Sequence, residues 1–167
     1  MFIIRFLEYT RDTRRGGVTR QPGPDRSRSP RVPPSDPRAY VGQAGITGMT
    51  ERVLVVDDSS FQRTVVRDAL AERFEVVDEA ENGAEAVELF EAYEPDAVSM
   101  DVVMPEMTGI EATAAIKERW PDAVIVMCTS VDQQEKMMEA VKAGANGYVT
   151  KPVDPDKLVP EMQSHFE

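Results

Sequence analysis

The stretch VLVVDDSS, residues 53–60, sets four apolar residues directly against two adjacent carboxylates, Asp57 and Asp58. Aspartate is depleted in strands, and two like charges about 4 Å apart repel by about 4 kcal/mol at an effective dielectric of about 20. A strand that ends on such a pair either solvates its end with them or presents them to a cation. The choice depends on what the neighbouring strand ends bring alongside.

From residue 52 onward the chain alternates regularly. Short apolar runs fall at 53–56 (VLVV), 75–78 (EVVD), 97–100 (AVSM), 123–128 (AVIVMC) and 147–149 (GYV). They have strand length, and several are apolar without alternation, as expected of parallel strands covered on both faces. Helix-length segments lie between them. Ser59…Gln62, Asn82…Glu85, Thr108…Glu111 and Asp132…Glu135 match capping-box spacing or a close variant of it. Asp154 followed by Pro155 predicts a fifth helix start, and Gly144 a C-terminal cap for the fourth. Phe61, Val65, Ala69 and Leu70 recur at helical spacing and predict the buried face of the first helix. Five βα units in succession predict an α/β fold, an open parallel sheet with helices on both faces.

Such sheets bind ligands beyond the carboxyl ends of their strands, where strand order reverses. Asp57 and Asp58 end the first strand and Asp101, in MDVVMPEMTG, ends the third. Thr129 follows the fourth in MCTSV, and Lys151 follows the fifth in YVTKP. The intervals are 44, 28 and 22 residues from Asp57 to Asp101, Thr129 and Lys151 in turn, two units and then about one each. Every step returns the chain to the same edge. Three carboxylates, a hydroxyl and an ammonium therefore converge in one crevice. Clustered carboxylates suit a hard divalent cation that takes oxygen ligands and keeps waters, and Mg²⁺ fits best. Beside such a cation a carboxylate can attack phosphorus and form an acyl phosphate, with metal and ammonium neutralising the phosphoryl oxygens.

Composition narrows the setting. The 167 residues are 41% hydrophobic, enough for one domain with a real core and some extra material. Residues 1–49 hold nine Arg and four acids, a charge of +5, whereas residues 50–167 hold ten basic and 26 acidic residues, a charge of −16. A domain this acidic repels nucleic acid and favours cations and basic protein surfaces as partners. High salt would screen its self-repulsion. The single cysteine, Cys128, cannot form an intramolecular disulfide. No apolar run approaches the roughly 18–20 residues of a membrane span, and MFIIRFLEY, interrupted by Arg5 and Glu8, is no signal-peptide core. The expectation is cytoplasmic, without nucleic acid binding or membrane insertion. Residues 1–48, rich in Pro, Gly, Arg and Ser from residue 10 on, are expected to be a disordered or mis-started extension, and residues 49–167 the folded domain.

Single residues weigh less than the set. Thr129 alone is a loop hydroxyl, Lys151 alone a solvated charge, and Tyr148 an ordinary half-buried aromatic. Met127, Met137 and Met138 read as packing residues, though an exposed Met on helix four suits an adaptable partner surface. Cys128 reads as core. His165, the only histidine, supports neither a metal site nor a phosphohistidine.

On the motifs VDDS, MDVVMPEMTG, CTS and GYVTKP, residues 52–165 resemble a CheY-type response regulator receiver domain. The phrases EAENGAEAVE, GIEATAAIK and VMCTSV resemble archaeal chemotaxis regulators. The resemblance implies a doubly wound five-stranded sheet of order 2-1-3-4-5 with five helices. It implies that Asp101 accepts a phosphoryl group from a CheA-like sensor histidine kinase. Asp58, Asp101 and the backbone carbonyl of Val103 would ligate Mg²⁺ directly, and Asp57 largely through water. Thr129 and Lys151 would bind the phosphoryl group. Tyr148 would turn inward as Thr129 moves, changing the surface of helix four, strand five and helix five. A cis Lys151–Pro152 bond is also implied.

Two departures stand out. Thr108 replaces the usual aspartate of the loop motif, and either residue can cap helix three. Val103 and Val131, two residues beyond Asp101 and Thr129, carry no group to orient a water, so slow self-dephosphorylation and reliance on a separate phosphatase are expected. The function expected is a phosphorylation-switched signalling protein without its own output domain, since only 16 residues follow Lys151. It would bind a downstream motor or adaptor protein in chemotaxis, and would be no enzyme beyond its own phosphotransfer and dephosphorylation. A phosphorelay carrier is the alternative within signalling. A haloacid-dehalogenase-type phosphatase is disfavoured, because its acids stand two residues apart rather than adjacent and no cap domain is present.

Overall fold

The computed structural model describes residues 50–130 and 134–167. The expectations for residues 1–48, the Asp132 cap and Val131 fall outside that range.

Five strands alternate with five helices among the described residues: β1 (Arg52–Val56), α1 (Ser60–Leu70), β2 (Glu75–Ala80), α2 (Gly83–Tyr93), β3 (Ala97–Asp101), α3 (Gly109–Arg119), β4 (Val124–Thr129), α4 (Gln134–Ala143), β5 (Gly147–Thr150) and α5 (Pro155–Gln163). Side-chain caps set the helix starts. Asn82 accepts from the Glu85 N–H at 2.8 Å. Ser59 accepts from Gln62 at a longer 3.4 Å. Thr108 and Glu111 form a reciprocal capping box, and Asp154 accepts from the Asp156 N–H ahead of a helix that begins on Pro155. Each cap satisfies a backbone donor that the first helical turn leaves without a partner. Gly144, directly after α4, has φ +106°, a conformation that a Cβ would strain.

All strands are parallel, in the order β2-β1-β3-β4-β5. Alternate residues of β1, β3 and β4 enter opposite cores. Leu54, Val56, Val98, Met100, Ile125 and Met127 pack under α2, α3 and α4 with Phe90, Ala112 and Ile116. Val53, Val55, Ala97, Val126, Cys128 and Val149 pack under α1 and α5 with Val66, Leu70, Leu158 and Met162. Both faces are covered, so the strands lack a polar alternation. Two sequence expectations shift. The second strand runs two residues beyond the expected end, to Ala80. The buried face of α1 is Arg63, Val66 and Leu70, with Phe61 71% exposed. Arg63 is buried on that face because Glu79, on β2, and Glu81, just beyond it, receive its guanidinium.

Register carries the crevice into being. Chain order moves one way from β1 to β2 and the other way from β1 to β3, which places the switch point between β1 and β3. Val56 pairs with Met100, so Asp57 and Asp101 are the next residues on adjacent strands. Asp101 pairs with Cys128, and Thr129 with Thr150, one residue before Lys151.

Candidate functional site

The acid pair follows β1 without a break. The Asp57 N–H donates to the Ala80 carbonyl at 3.1 Å, and its Oδ1 accepts from the Ser59 N–H at 2.9 Å. Asp57 is therefore buried with a fixed side chain, while Asp58 turns out to solvent. Asp101, the last residue of β3, is 6% exposed and accepts from the Val102 N–H at 2.8 Å. One carboxylate oxygen from each of Asp57, Asp58 and Asp101 lies within 4.8 Å of the other two. This is a ligand set for a hard cation: oxygen only, negatively charged, and open to water on the Asp58 side.

Lys151 reaches the same point from the end of β5. Its Nζ donates to Asp57 Oδ2 at 2.7 Å and lies 3.1 Å from Asp101 Oδ1. Burial pushes the Asp101 carboxyl above its usual range, and the Asp57 charge adds to that, against the opposing pull of Lys151 and the Val102 N–H. For Lys151 burial acts downward, but the bond it donates to Asp57 and the charges of Asp101 and Asp57 hold its ammonium above the ordinary lysine value. The ammonium thus neutralises part of an acid cluster that is costly alone. A cation held among the three carboxylates would compete with the ammonium for them. Lys151→Met is accordingly expected to tighten divalent-cation binding about threefold to tenfold, since a cation no longer competes with a fixed positive charge. Calorimetric titration of both proteins checks this, and equal or weaker binding by the variant contradicts it.

The remaining predicted residues lie close by in differing states. Thr129 is buried at the end of β4, and its hydroxyl donates to the Ser130 carbonyl at 3.0 Å. Tyr148 is half exposed, its side chain outward. A cavity of about 220 Å³ beside it is lined by Thr129, Val102, Met127, Met137 and Ala140 among others. Val103 projects its side chain to solvent, 41% exposed, from the loop after Asp101. The Lys151–Pro152 peptide is cis. Gly109 comes so close to the Asp101 backbone that a Cβ there would collide with the Asp101 carbonyl oxygen.

Residues set aside on sequence grounds are also located. Cys128 is core, its Sγ 3.3 Å from Ser99 Oγ, and burial pushes its thiol up to about 11. Met127 is core, whereas Met138 is 66% exposed on α4. His165 lies after α5 with Nε2 3.6 Å from Glu161. The residue that sequence reasoning passed over is Arg63, which is buried and bonded to the Asp57 main chain. The readable signal was an arginine four residues after a helix cap, with Glu79 at the end of β2 and Glu81 just after it as acid partners.

The family model described as the response regulator receiver domain matches residues 53–163. The chain is similar to the chemotaxis protein CheY of Halobacterium salinarum, 60% identical over 104 residues that span 62% of this chain and 87% of that protein. It is also similar to the chemotaxis protein CheY of Bacillus subtilis, 45% identical over 112 residues, 66% of this chain and 93% of that one. Among solved structures, the CheX–CheY–BeF3–Mg complex of Borrelia burgdorferi aligns with a TM-score of 0.66 at 29% identity, covering 70% of this chain and 90% of the matched chain.

Proposed function

Because the chain belongs to the response regulator receiver domain family, we propose that it is a chemotaxis response regulator whose phosphoryl acceptor is Asp101, working with Mg²⁺. The observation that supports this reading is the meeting of three carboxylate oxygens within 4.8 Å at the switch point, with the Lys151 ammonium upon two of those acids. Similarity to an archaeal chemotaxis protein supports the narrower placement. No helix among the described residues is long and apolar enough to cross a membrane, and a cytoplasmic location is part of the proposal.

In this reading Asp58, Asp101 and the Val103 carbonyl would hold the ion, with Asp57 contributing charge beside it. The ion supplies charge neutralisation for the entering phosphoryl oxygens. A carboxylate oxygen of Asp101 attacks the phosphorus of a phosphohistidine on a CheA-like kinase. The new O–P bond forms as the N–P bond breaks, and the imidazole leaves with the electron pair. Lys151 and the Asp101 loop hold the group in place. Thr129 leaves the Ser130 carbonyl and donates to a phosphoryl oxygen instead. That movement opens room on the cavity side, and Tyr148 turns inward to fill it. The altered face of α4, β5 and α5, with Met138 and Val141 exposed on it, then binds a motor or adaptor protein.

Phosphotransfer from a purified chemotaxis kinase tests this. One phosphoryl group per chain, dependent on Mg²⁺, is expected; continuous turnover of a small phosphate ester instead would indicate a phosphatase. The apolar, exposed Val103 gives a second expectation. Val103→Asn should shorten the lifetime of the label roughly tenfold, a small part of what a positioned proton-transfer group can contribute, and more so with a polar residue at position 131 as well. An unchanged decay rate would remove Val103 from control of lifetime and weaken the case for a separate phosphatase.

A further inference from the structure

Arg63 sits in the second turn of α1, on the face that packs against the sheet, and is 7% exposed. A buried arginine is rare unless every donor direction finds an acceptor. Here the guanidinium fork is occupied in three directions. Nη1 donates to the main-chain carbonyl of Asp57 at 2.8 Å. Nε donates to Glu79 at 3.2 Å and Nη2 to Glu81 at 3.1 Å, both acids flanking the end of β2. Arg63 thus ties three segments together: the acid loop, the helix after it, and the strand beside β1.

The contact with Asp57 is to its peptide group. That carbonyl belongs to the peptide plane joining Asp57 to Asp58, the two acids of the cluster that are neighbours in sequence. On the other side of Asp57 the N–H is held by the Ala80 carbonyl at 3.1 Å. Both peptide groups of Asp57 are therefore fixed, one by β2 directly and the other by Arg63, which Glu79 and Glu81 hold at the end of β2. Asp58 is exposed, and no hydrogen bond or ion pair among the described residues orients its carboxylate. What points it into the cluster is the direction in which the backbone leaves Asp57.

We infer that Arg63 is a positioning residue for the divalent-cation site, setting the peptide plane from which Asp58 reaches the shared ion. This rests on the reading of Asp57, Asp58 and Asp101 as a cation site and adds a residue that touches neither ion nor phosphoryl group. The sign of the effect separates positioning from simple electrostatics. Arg63 is a positive charge close to a cation site, so removing it should tighten cation binding if charge alone matters. If it positions the acids, removing it should weaken binding, as loss of an outer partner of a ligand typically does by 10- to 100-fold. Glu79 and Glu81 neutralise the guanidinium, which favours the second outcome.

The test is Mg²⁺ titration by calorimetry of the full chain, wild type against Arg63→Met and Arg63→Lys, at a temperature where circular dichroism shows each protein folded. Binding about tenfold weaker in Arg63→Met is expected, with Arg63→Lys between it and wild type, because lysine keeps the charge but not the planar fork. Should Arg63→Met not fold, weaker binding by folded Arg63→Lys supports the same inference. Unchanged or tighter binding in a folded variant overturns the role of Arg63 alone. Absence of saturable Mg²⁺ binding by the wild-type chain overturns both this inference and the cation site beneath it.

Discussion

Asp101→Asn is expected to abolish phosphoryl labelling completely and, in the absence of metal, to make the protein more stable at neutral pH. The first effect follows from chemistry, since an amide oxygen does not form an acyl phosphate. The second follows from where the carboxylate sits. Asp101 is 6% exposed, and burial first, then the charge of Asp57, raises its pKa despite the ammonium of Lys151. A folded-state carboxyl above its unfolded value takes up protons on folding. Wild-type stability therefore falls as pH rises from the ordinary carboxylate range through the raised folded value, and stays at the lower level at neutral pH. Asparagine fills the same space without that charge, and Lys151 keeps its 2.7 Å contact with Asp57. A gain in stability at neutral pH is expected, shrinking toward zero below the ordinary carboxylate range. Urea unfolding in chelator at both pH values measures it. Loss of stability at neutral pH would mean that the Lys151 contact outweighs the cost of burying the charge. Adding Mg²⁺ should reverse the order, since a ligand at 100 times its Kd stabilises by about 2.7 kcal/mol and the variant loses one ligand.

Gly109→Ala is expected to destabilise the protein by about 3 kcal/mol or more, at the upper end of overpacking costs, and to slow phosphorylation of whatever remains folded. A methyl group at this position would collide with the Asp101 carbonyl oxygen and stand 2.9 Å from Met100 Cγ. Neither neighbour can retreat. Met100 is fully buried and paired in register with Val56 and Met127, and the Gly109 N–H is bonded to the Val102 carbonyl at 3.1 Å. Relief must come from moving the start of α3 away from the end of β3, which moves the acceptor loop with it. Thermal melting should show a drop on the order of 10 °C, and the labelling rate should fall further than the folded fraction. A wild-type melting curve would show that the helix start relaxes without strain.

Much of the molecule was legible because local chemistry repeats with the fold. Asn82, Thr108 and Asp154 announce their helices by capping, and VLVV, AVSM and AVIVMC announce strands covered on both faces. Once five βα units are counted, the return of Asp57, Asp101, Thr129 and Lys151 to one edge follows from topology alone. What was not legible depends on contacts between distant segments. Phe61 fits an apolar stripe on α1, yet it faces solvent, while Arg63 is buried with its guanidinium held by Glu79 of β2 and by Glu81 just beyond that strand. No periodicity reveals that an arginine is buried; only the two acids across the sheet do. The Thr129 hydroxyl, bonded to Ser130, and the cavity beside Tyr148 are likewise products of loop and helix placement, which carries no periodic mark in the sequence.

The most direct test of the cation-assisted acyl phosphate is chemical trapping. The full chain is labelled with a small phosphodonor, with and without Mg²⁺, then reduced with borohydride and sequenced by mass spectrometry. Conversion of residue 101 to the corresponding alcohol, in the Mg²⁺-containing sample and not in the chelated one, is the result expected. Trapping at residue 57 or 58, or equal labelling of residue 101 without any divalent ion, would contradict it.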